Sequence, residues 1–222
     1  FAESGNLTKH AAVHTEERPW KCPACGQRFK VRGYPTVILM APDGAEITRL
    51  PGEADAPQIM AAQLQAGAWG ITFANVVQAR LGLLAGVPRA LIANQVLAAD
   101  DLAAIASLLC ERPGARLLFL VDSLAQLKLI EDWHRAQPVA PAAFEVLLEV
   151  GLEGGRTGCR GHDEAMALAR RLHASAAVRL AGIECYEGLW AKGRSDEDRA
   201  LVDGLLQRVH RLAGQCDAEG QI

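Results

Sequence analysis

"FEVLLEVGLEGGRTGCRGHDEAMALARRLHASAAVRLAGIECY", residues 144–186, changes its period twice. FEVLLEVGL, 144–152, is the short apolar run of a buried strand, and VRLAGIECY, 178–186, is another. Between them HDEAMALARRLHAS, 162–175, repeats its apolar residues at three- and four-residue intervals behind an acidic start, which predicts a helix. Two strands joined through a helix run parallel. The same alternation extends in both directions. GITFANV at 70–76, ALIANQVL at 90–97 and RLLFLVDSL at 116–124 read as strands. ADDLAAIASLLCERPG at 99–114, AQLKLIEDWHRAQ at 125–137 and SDEDRALVDGLLQRVHRLAG at 195–214 read as helices. Asp100 and Asp101, His162 and Asp163, and Ser195 and Asp196 stand where N-caps or first-turn acids belong, and Gly114 ends a helix. The series predicts an α/β fold, and short apolar strands of this kind suit a barrel or a doubly wound sheet equally.

Composition bounds the rest. The chain has 222 residues, half of them apolar and 22% charged, enough to bury a core in one large or two small domains. A net charge of -3 gives no general attraction to nucleic acid or to an anionic membrane. No uninterrupted apolar stretch reaches the roughly 18 residues of a membrane span. Cys22 and Cys25 are close together, and Cys110, Cys159, Cys185 and Cys216 are scattered, a usage suited to a reducing compartment. These features predict a cytoplasmic protein, or an artificial splice of unrelated pieces.

Three compositions follow one another: residues 1–30, polar, basic and rich in His and Cys; residues 31–53, apolar and punctuated by Pro and Gly; residues 54–222, the Ala- and Leu-rich βα series. In FAESGNLTKHAAVH, residues 1–14, helical spacing puts His10 and His14 on one face, half of a tetrahedral zinc set, and Cys22 and Cys25 in CPAC are the other usual half. TEERPW, 15–20, resembles the linker of tandem two-cysteine, two-histidine zinc fingers. The order here is the end of one finger and the start of the next, with Glu3, Asn6 and Lys9 at the base-facing positions of a helix that lacks its hairpin. An incomplete ligand set leaves such folds largely unfolded, which argues against DNA binding. The seven residues between His14 and Cys22 can extend about 23 Å, so one zinc ion shared by the four ligands in a permuted arrangement is sterically open.

VRGYPTVILMAPDGAEITRLPG, 31–52, reads as a hairpin: Val37 to Met40, a Pro42-Asp43-Gly44 turn, then Glu46 to Leu50. It resembles the C-terminal part of thioredoxin-like domains, with Tyr34-Pro35 at their cis-proline position. Cys25 is only ten positions before Pro35, too close for that family's redox pair, and Lys21 separates Trp20 from Cys22.

From about residue 56 to residue 212, QLQAGAWGITFANVVQARLGLLAG, ALIANQVL, EVLLEVGLEGGRTGCR and GIECYEG together resemble the alanine-racemase-type pyridoxal phosphate barrel of the D-threonine aldolase, D-serine dehydratase and amino acid deaminase group. The resemblance implies a partial (β/α) barrel of about five βα units, preceded by the β-hairpin and the short zinc-finger-like arm. It implies cofactor contacts by Arg156 at the phenolic oxygen, by Tyr186 beside the ring and by Asn94 at the same mouth. It also implies a Schiff-base lysine shortly before Ala56-Pro57-Gln58, where this chain has RLPGEAD. Its five lysines are Lys9, Lys21, Lys30, Lys128 and Lys192. Lys128 falls inside an amphipathic helix and Lys192 in a loop beyond the last strand. The resembled group's last two strands, its phosphate-holding loops and its zinc-bearing β domain should follow residue 212, where QCDAEGQI closes the chain.

The expectation is therefore a composite chain with no intact parental activity and no intact catalytic residues. Its pyridoxal phosphate site (Asn94, Arg156, Tyr186) and zinc site (His10, His14, Cys22, Cys25) are remnants. Open sheet edges would favour self-association. Two alternatives stand beside it: an active pyridoxal-dependent D-amino acid lyase or deaminase with a small amino acid as substrate, and a zinc-dependent DNA-binding module in residues 1–29.

Overall fold

The computed structural model describes residues 36–40, 46–51, 57–187 and 195–222. The four proposed zinc ligands, the Tyr34-Pro35 bond, the Pro42-Asp43-Gly44 turn and Lys192 lie outside the described residues. The two runs expected to form a hairpin are β1 (Thr36–Met40) and β2 (Glu46–Pro51), antiparallel, with Val37 opposite Leu50 and Ile38 opposite Arg49. Then come α1 (Pro57–Gln65), β3 (Ile71–Phe73), α2 (Val76–Leu84), β4 (Arg89–Gln95) and α3 (Ala99–Glu111). The order continues with β5 (Arg116–Val121), α4 (Leu124–Arg135), β6 (Phe144–Val150), α5 (His162–His173), β7 (Val178–Cys185) and α6 (Asp196–Ala218). β3 to β7 form one open parallel sheet in chain order, the α/β architecture of a partial β/α barrel.

The chain divides into two compact units, residues 1–71 with 81–89, and residues 72–80 with 90–222. In the first, α1 opens on Pro57, whose missing N–H costs nothing at a helix start, and it buries Ile59 and Met60. Here also Arg89 lies over the Trp69 ring at 5.2 Å and donates to the Trp69 carbonyl at 3.1 Å.

The second unit holds the centre of the sheet. β5 is buried from Leu117 through Val121, the continuous apolar run of a strand covered on both faces. Phe119 and Phe144 meet edge to face at 5.8 Å, and Trp133 closes on Phe144 at 5.6 Å, tying α4 to β5 and β6. α5 buries Ala165, Leu168, Ala169 and Leu172, one stripe at helical spacing, with Asp163 and Glu164 in its first turn and Arg170, Arg171 and His173 in its last. α6 starts in a reciprocal cap: Ser195 Oγ accepts from the Asp198 amide at 3.0 Å and Asp198 accepts from the Ser195 amide at 3.2 Å.

Two departures from simple alternation matter for the strand ends. β3 is shorter than GITFANV because Asn75 caps α2: its Oδ1 accepts from the Gln78 amide at 3.0 Å, while Gln78 Oε1 accepts from the Ala74 amide at 3.0 Å. The β6–β7 pairing shifts by one residue after Val146, so that Leu147 faces Gly182 rather than Ala181. Gly182 holds φ at +154° there, a conformation costly for residues with a Cβ. The shift places Glu149 opposite Glu184. Among the described residues no helix is long and apolar enough to cross a membrane.

Phe119 is fully buried between β6 and the helices, whereas Leu129 is 36% exposed. Phe119→Ala should lower the free energy of unfolding by about 3–5 kcal/mol and Leu129→Ala by about 1 kcal/mol or less, read from urea denaturation midpoints.

Candidate functional site at the ends of the parallel strands

In parallel sheets with short βα loops, ligand groups gather beyond the carboxyl ends of the strands. In this chain those ends carry polar side chains. Gln95 closes β4, Asp122 follows β5, Glu149 precedes the last residue of β6, and Glu184 does so in β7. Gln95 Nε2 donates to Asp122 Oδ2 at 3.1 Å and to Glu149 Oε2 at 2.6 Å, joining three strand ends through one amide. Glu149 is only 2% exposed, and its second oxygen accepts from the Thr157 hydroxyl at 2.6 Å.

Thr157 belongs to the glycine-rich loop 151–161, which turns back on the strand it leaves. The Gly158 amide donates to Asp122 Oδ2 at 3.0 Å, the Cys159 amide to the Glu149 carbonyl at 2.8 Å and the Gly151 amide to the Cys159 carbonyl at 3.0 Å. Gly158 sits at φ +93°, and a Cβ there would strike the Val150–Gly151 backbone, so only glycine fits. Arg160 fills the loop from within: Nη1 donates to the carbonyls of Leu152 and Thr157, both at 2.7 Å, and Nη2 to that of Gly155 at 2.9 Å. The carbonyls that such a tight loop would strand away from water are thereby satisfied.

The loop carries Arg156. Its guanidinium lies over the Tyr186 ring, 5.2 Å from the centroid, and its Nη2 is 3.5 Å from the Ala93 carbonyl on β4. Two of the residues expected to share a site, Arg156 and Tyr186, are therefore in contact. The third, Asn94, follows Ala93, but its Nδ2 donates to the Ala74 carbonyl at 2.9 Å, bridging the ends of β3 and β4. Tyr186 is 38% exposed, so one side of the pair is open.

Glu184 completes the group and was not singled out from the sequence, where GIECY reads only as a strand. One carboxylate oxygen, Oε2, is buried with no hydrogen-bond partner. Burial pushes its pKa up to about 7, the neighbouring Glu149 and Glu187 push the same way, and the Arg156 guanidinium pulls back. A carboxyl that exchanges its proton near neutrality thus stands beside a cation and an aromatic ring. The cysteines nearby are not nucleophiles. Burial and the surrounding carboxylates push the Cys159 thiol up to about 12, and burial, with Glu184, raises that of Cys185. Among the described residues no cluster of His, Cys, Asp and Glu is arranged to hold a metal ion.

The orphaned Glu184 oxygen, the Arg156 cation and the half-open Tyr186 ring fit the ring side of a pyridoxal-type cofactor. They do not supply its tether. Lys128 is the lysine among the described residues; it stands on α4 with its side chain 73% exposed and its ammonium 2.6 Å from Asp132. Lys128 and Arg135 hold the Asp132 carboxyl below its ordinary range.

No family model matches the chain. It is 30% identical over 153 residues to D-threonine aldolase of Arthrobacter sp., which is 69% of this chain and 39% of that protein. It is 34% identical over 132 residues to D-threo-3-hydroxyaspartate dehydratase of Delftia sp., 59% of this chain and 33% of that one. The crystal structure of D-threonine aldolase from Filomicrobium marinum superposes with a TM-score of 0.63 at 26% identity, over 73% of this chain and 43% of the other. The chain thus spans well under half the length of the relatives it matches. These likenesses support a β/α barrel of the D-threonine aldolase kind.

Because the folded state holds the Glu184 proton more tightly than the unfolded chain does, the folded state loses stability as pH rises from about 4.5 to about 7 and levels off above. Glu184→Gln removes this loss. The variant should be roughly 1–2 kcal/mol more stable relative to wild type at pH 8 than at pH 5, measured by urea denaturation at both; an equal difference at the two pH values contradicts the assignment.

Proposed function

We propose that the strand ends of residues 57–187 form the ring-binding side of a pyridoxal phosphate site of the D-amino acid lyase type, and that this chain binds the cofactor without turning over a substrate. The observation that carries the reading is the group Arg156, Tyr186 and Glu184, gathered at the ends of β6 and β7 in a chain similar to D-threonine aldolase. When bound, pyridoxal phosphate supplies an electron sink for negative charge that develops next to an amino group. The chain's own residues do the rest. Arg156 would present a cation to such a cofactor's phenolic oxygen, and the Tyr186 ring would offer an aromatic face to its ring. Glu184 would hold or release a proton beside Arg156. The Gln95–Glu149–Thr157 hydrogen bonds keep the floor of the site from relaxing.

The missing component is an amine. The residues before Ala56-Pro57-Gln58, RLPGEAD, contain no lysine at the position where the resembled group holds its aldehyde. An amine there is needed both to tether the carbonyl and to move a proton at the substrate's α carbon. The two relatives are named for amino acids bearing a β-hydroxyl, so that class of D-amino acid is the ligand to test. The composite reading of residues 1–53, with His10, His14, Cys22 and Cys25 as remnants of a zinc set, belongs to this proposal as well.

Equilibrium dialysis should detect pyridoxal phosphate uptake that Arg156→Ala weakens by roughly tenfold, the size of one lost charge-assisted contact. Borohydride reduction followed by peptide mass spectrometry should find no stoichiometric lysine adduct, and D-threonine should be left uncleaved. Absence of uptake would remove the site reading; a single labelled lysine with cleavage of D-threonine would instead make the chain an active lyase.

A further inference from the structure

Arg208 lies in the middle of α6, about fifty residues beyond the loop, in a stretch that the sequence reads as a helix. Its guanidinium is turned inward. Nη1 donates to the Gly151 carbonyl at 2.9 Å, and Nη2 to those of Arg160 at 2.7 Å and Cys159 at 3.3 Å. Gly151 and Arg160 are the two ends of the loop that carries Arg156. One planar fork therefore closes the neck of the loop from outside, while Arg160 fills it from inside.

The helix that delivers the fork is itself fixed. α6 buries Leu205, Leu212 and Cys216, His162 on α5 meets Gln215 at 2.5 Å, and Arg170 on α5 pairs with Glu219 at 2.8 Å. The loop has the opposite character. Gly151, Gly154, Gly155 and Gly158 give its backbone wide freedom in the absence of restraints, and that freedom must be removed before Arg156 can occupy one position. The Arg156 contacts are weak by themselves: a ring face at 5.2 Å and a carbonyl at 3.5 Å. They cannot order ten residues. Its placement is inherited from the bonds that hold the loop, at Thr157 and Gly158 and at the neck.

We propose that Arg208 is a positioning residue, which sets Arg156 against Tyr186 by closing the loop neck; its bearing on the cofactor rests on the site reading above. A lysine at 208 keeps the charge but offers a point donor in place of a fork that spans three carbonyls. Charge alone is thus separated from geometry.

The test compares wild type, Arg208→Lys and Arg208→Gln, each with and without Arg156→Ala, by three measurements. Hydrogen exchange at the Gly151 and Cys159 amides should speed up by about tenfold or more in both Arg208 variants, with Phe119 in β5 unchanged. Phenylglyoxal should modify Arg156 faster in both variants than in wild type. Pyridoxal phosphate affinity should fall in Arg208→Lys and Arg208→Gln to the level of Arg156→Ala, and the double variants should fall no further. Faster loop exchange with Arg156 reactivity unchanged would reduce Arg208 to a structural tie and overturn the inference, as would additive losses in the double variants. Should wild type take up no pyridoxal phosphate, the site reading falls, while the modification rate of Arg156 still decides what Arg208 positions.

Discussion

Two guanidinium groups, one inside the loop after β6 and one at its neck, hold the backbone of the loop that meets the polar groups at the strand ends. Arg160 and Arg208 together take six backbone carbonyl contacts, at Leu152, Gly155, Thr157, Gly151, Cys159 and Arg160. Charge-assisted bonds of this kind are about twice as strong as neutral ones, and here they replace the water that a glycine-rich loop would otherwise bind. With the loop set, Thr157 reaches Glu149, the Gly158 amide reaches Asp122, and Arg156 reaches Tyr186. Those contacts would disperse in a loop free to sample its own glycine conformations.

The acids at the strand ends show the cost and the use of such a site. Asp122, Glu149 and Glu184 are drawn together by parallel strands, which bring successive strand ends to the same side of the sheet. Gln95 relieves two of them by donating to both, but Glu184 keeps a buried oxygen without a partner. A stability-optimised core would hold an apolar side chain at that point. A raised proton affinity retained beside a cation and an aromatic ring is the pattern of groups set up to handle a ligand.

Much of the fold was legible from residues 70–214. The five apolar runs became β3 to β7, and the four amphipathic runs read from the sequence became α3 to α6 within a few residues. Ser195 proved a cap, while Asp100, Asp101 and Asp163 lie in first turns. The misses have particular causes. β3 ends early because Asn75 and Gln78 cap the next helix, a side-chain exchange hidden inside an apparent strand run. Glu184 was invisible because a one-residue shift at Gly182 decides which side chain faces Glu149, and register shifts leave little trace in a short apolar strand. Arg208 was not singled out, because its partners are backbone carbonyls about fifty residues away, which no local pattern marks. Arg156 and Tyr186 were singled out through a resemblance, and their contact follows from the loop geometry, which no local pattern encodes.

Arg156, Tyr186 and Glu184 are proposed to form one binding face for a pyridoxal ring. Titrating isotope-labelled protein with pyridoxal phosphate and following backbone amide resonances tests it most directly. Saturable shifts are expected, concentrated at residues 156–158 and 184–186, where the loop tip and the end of β7 meet. Shifts confined to α4 around Lys128, or none at all, would contradict it.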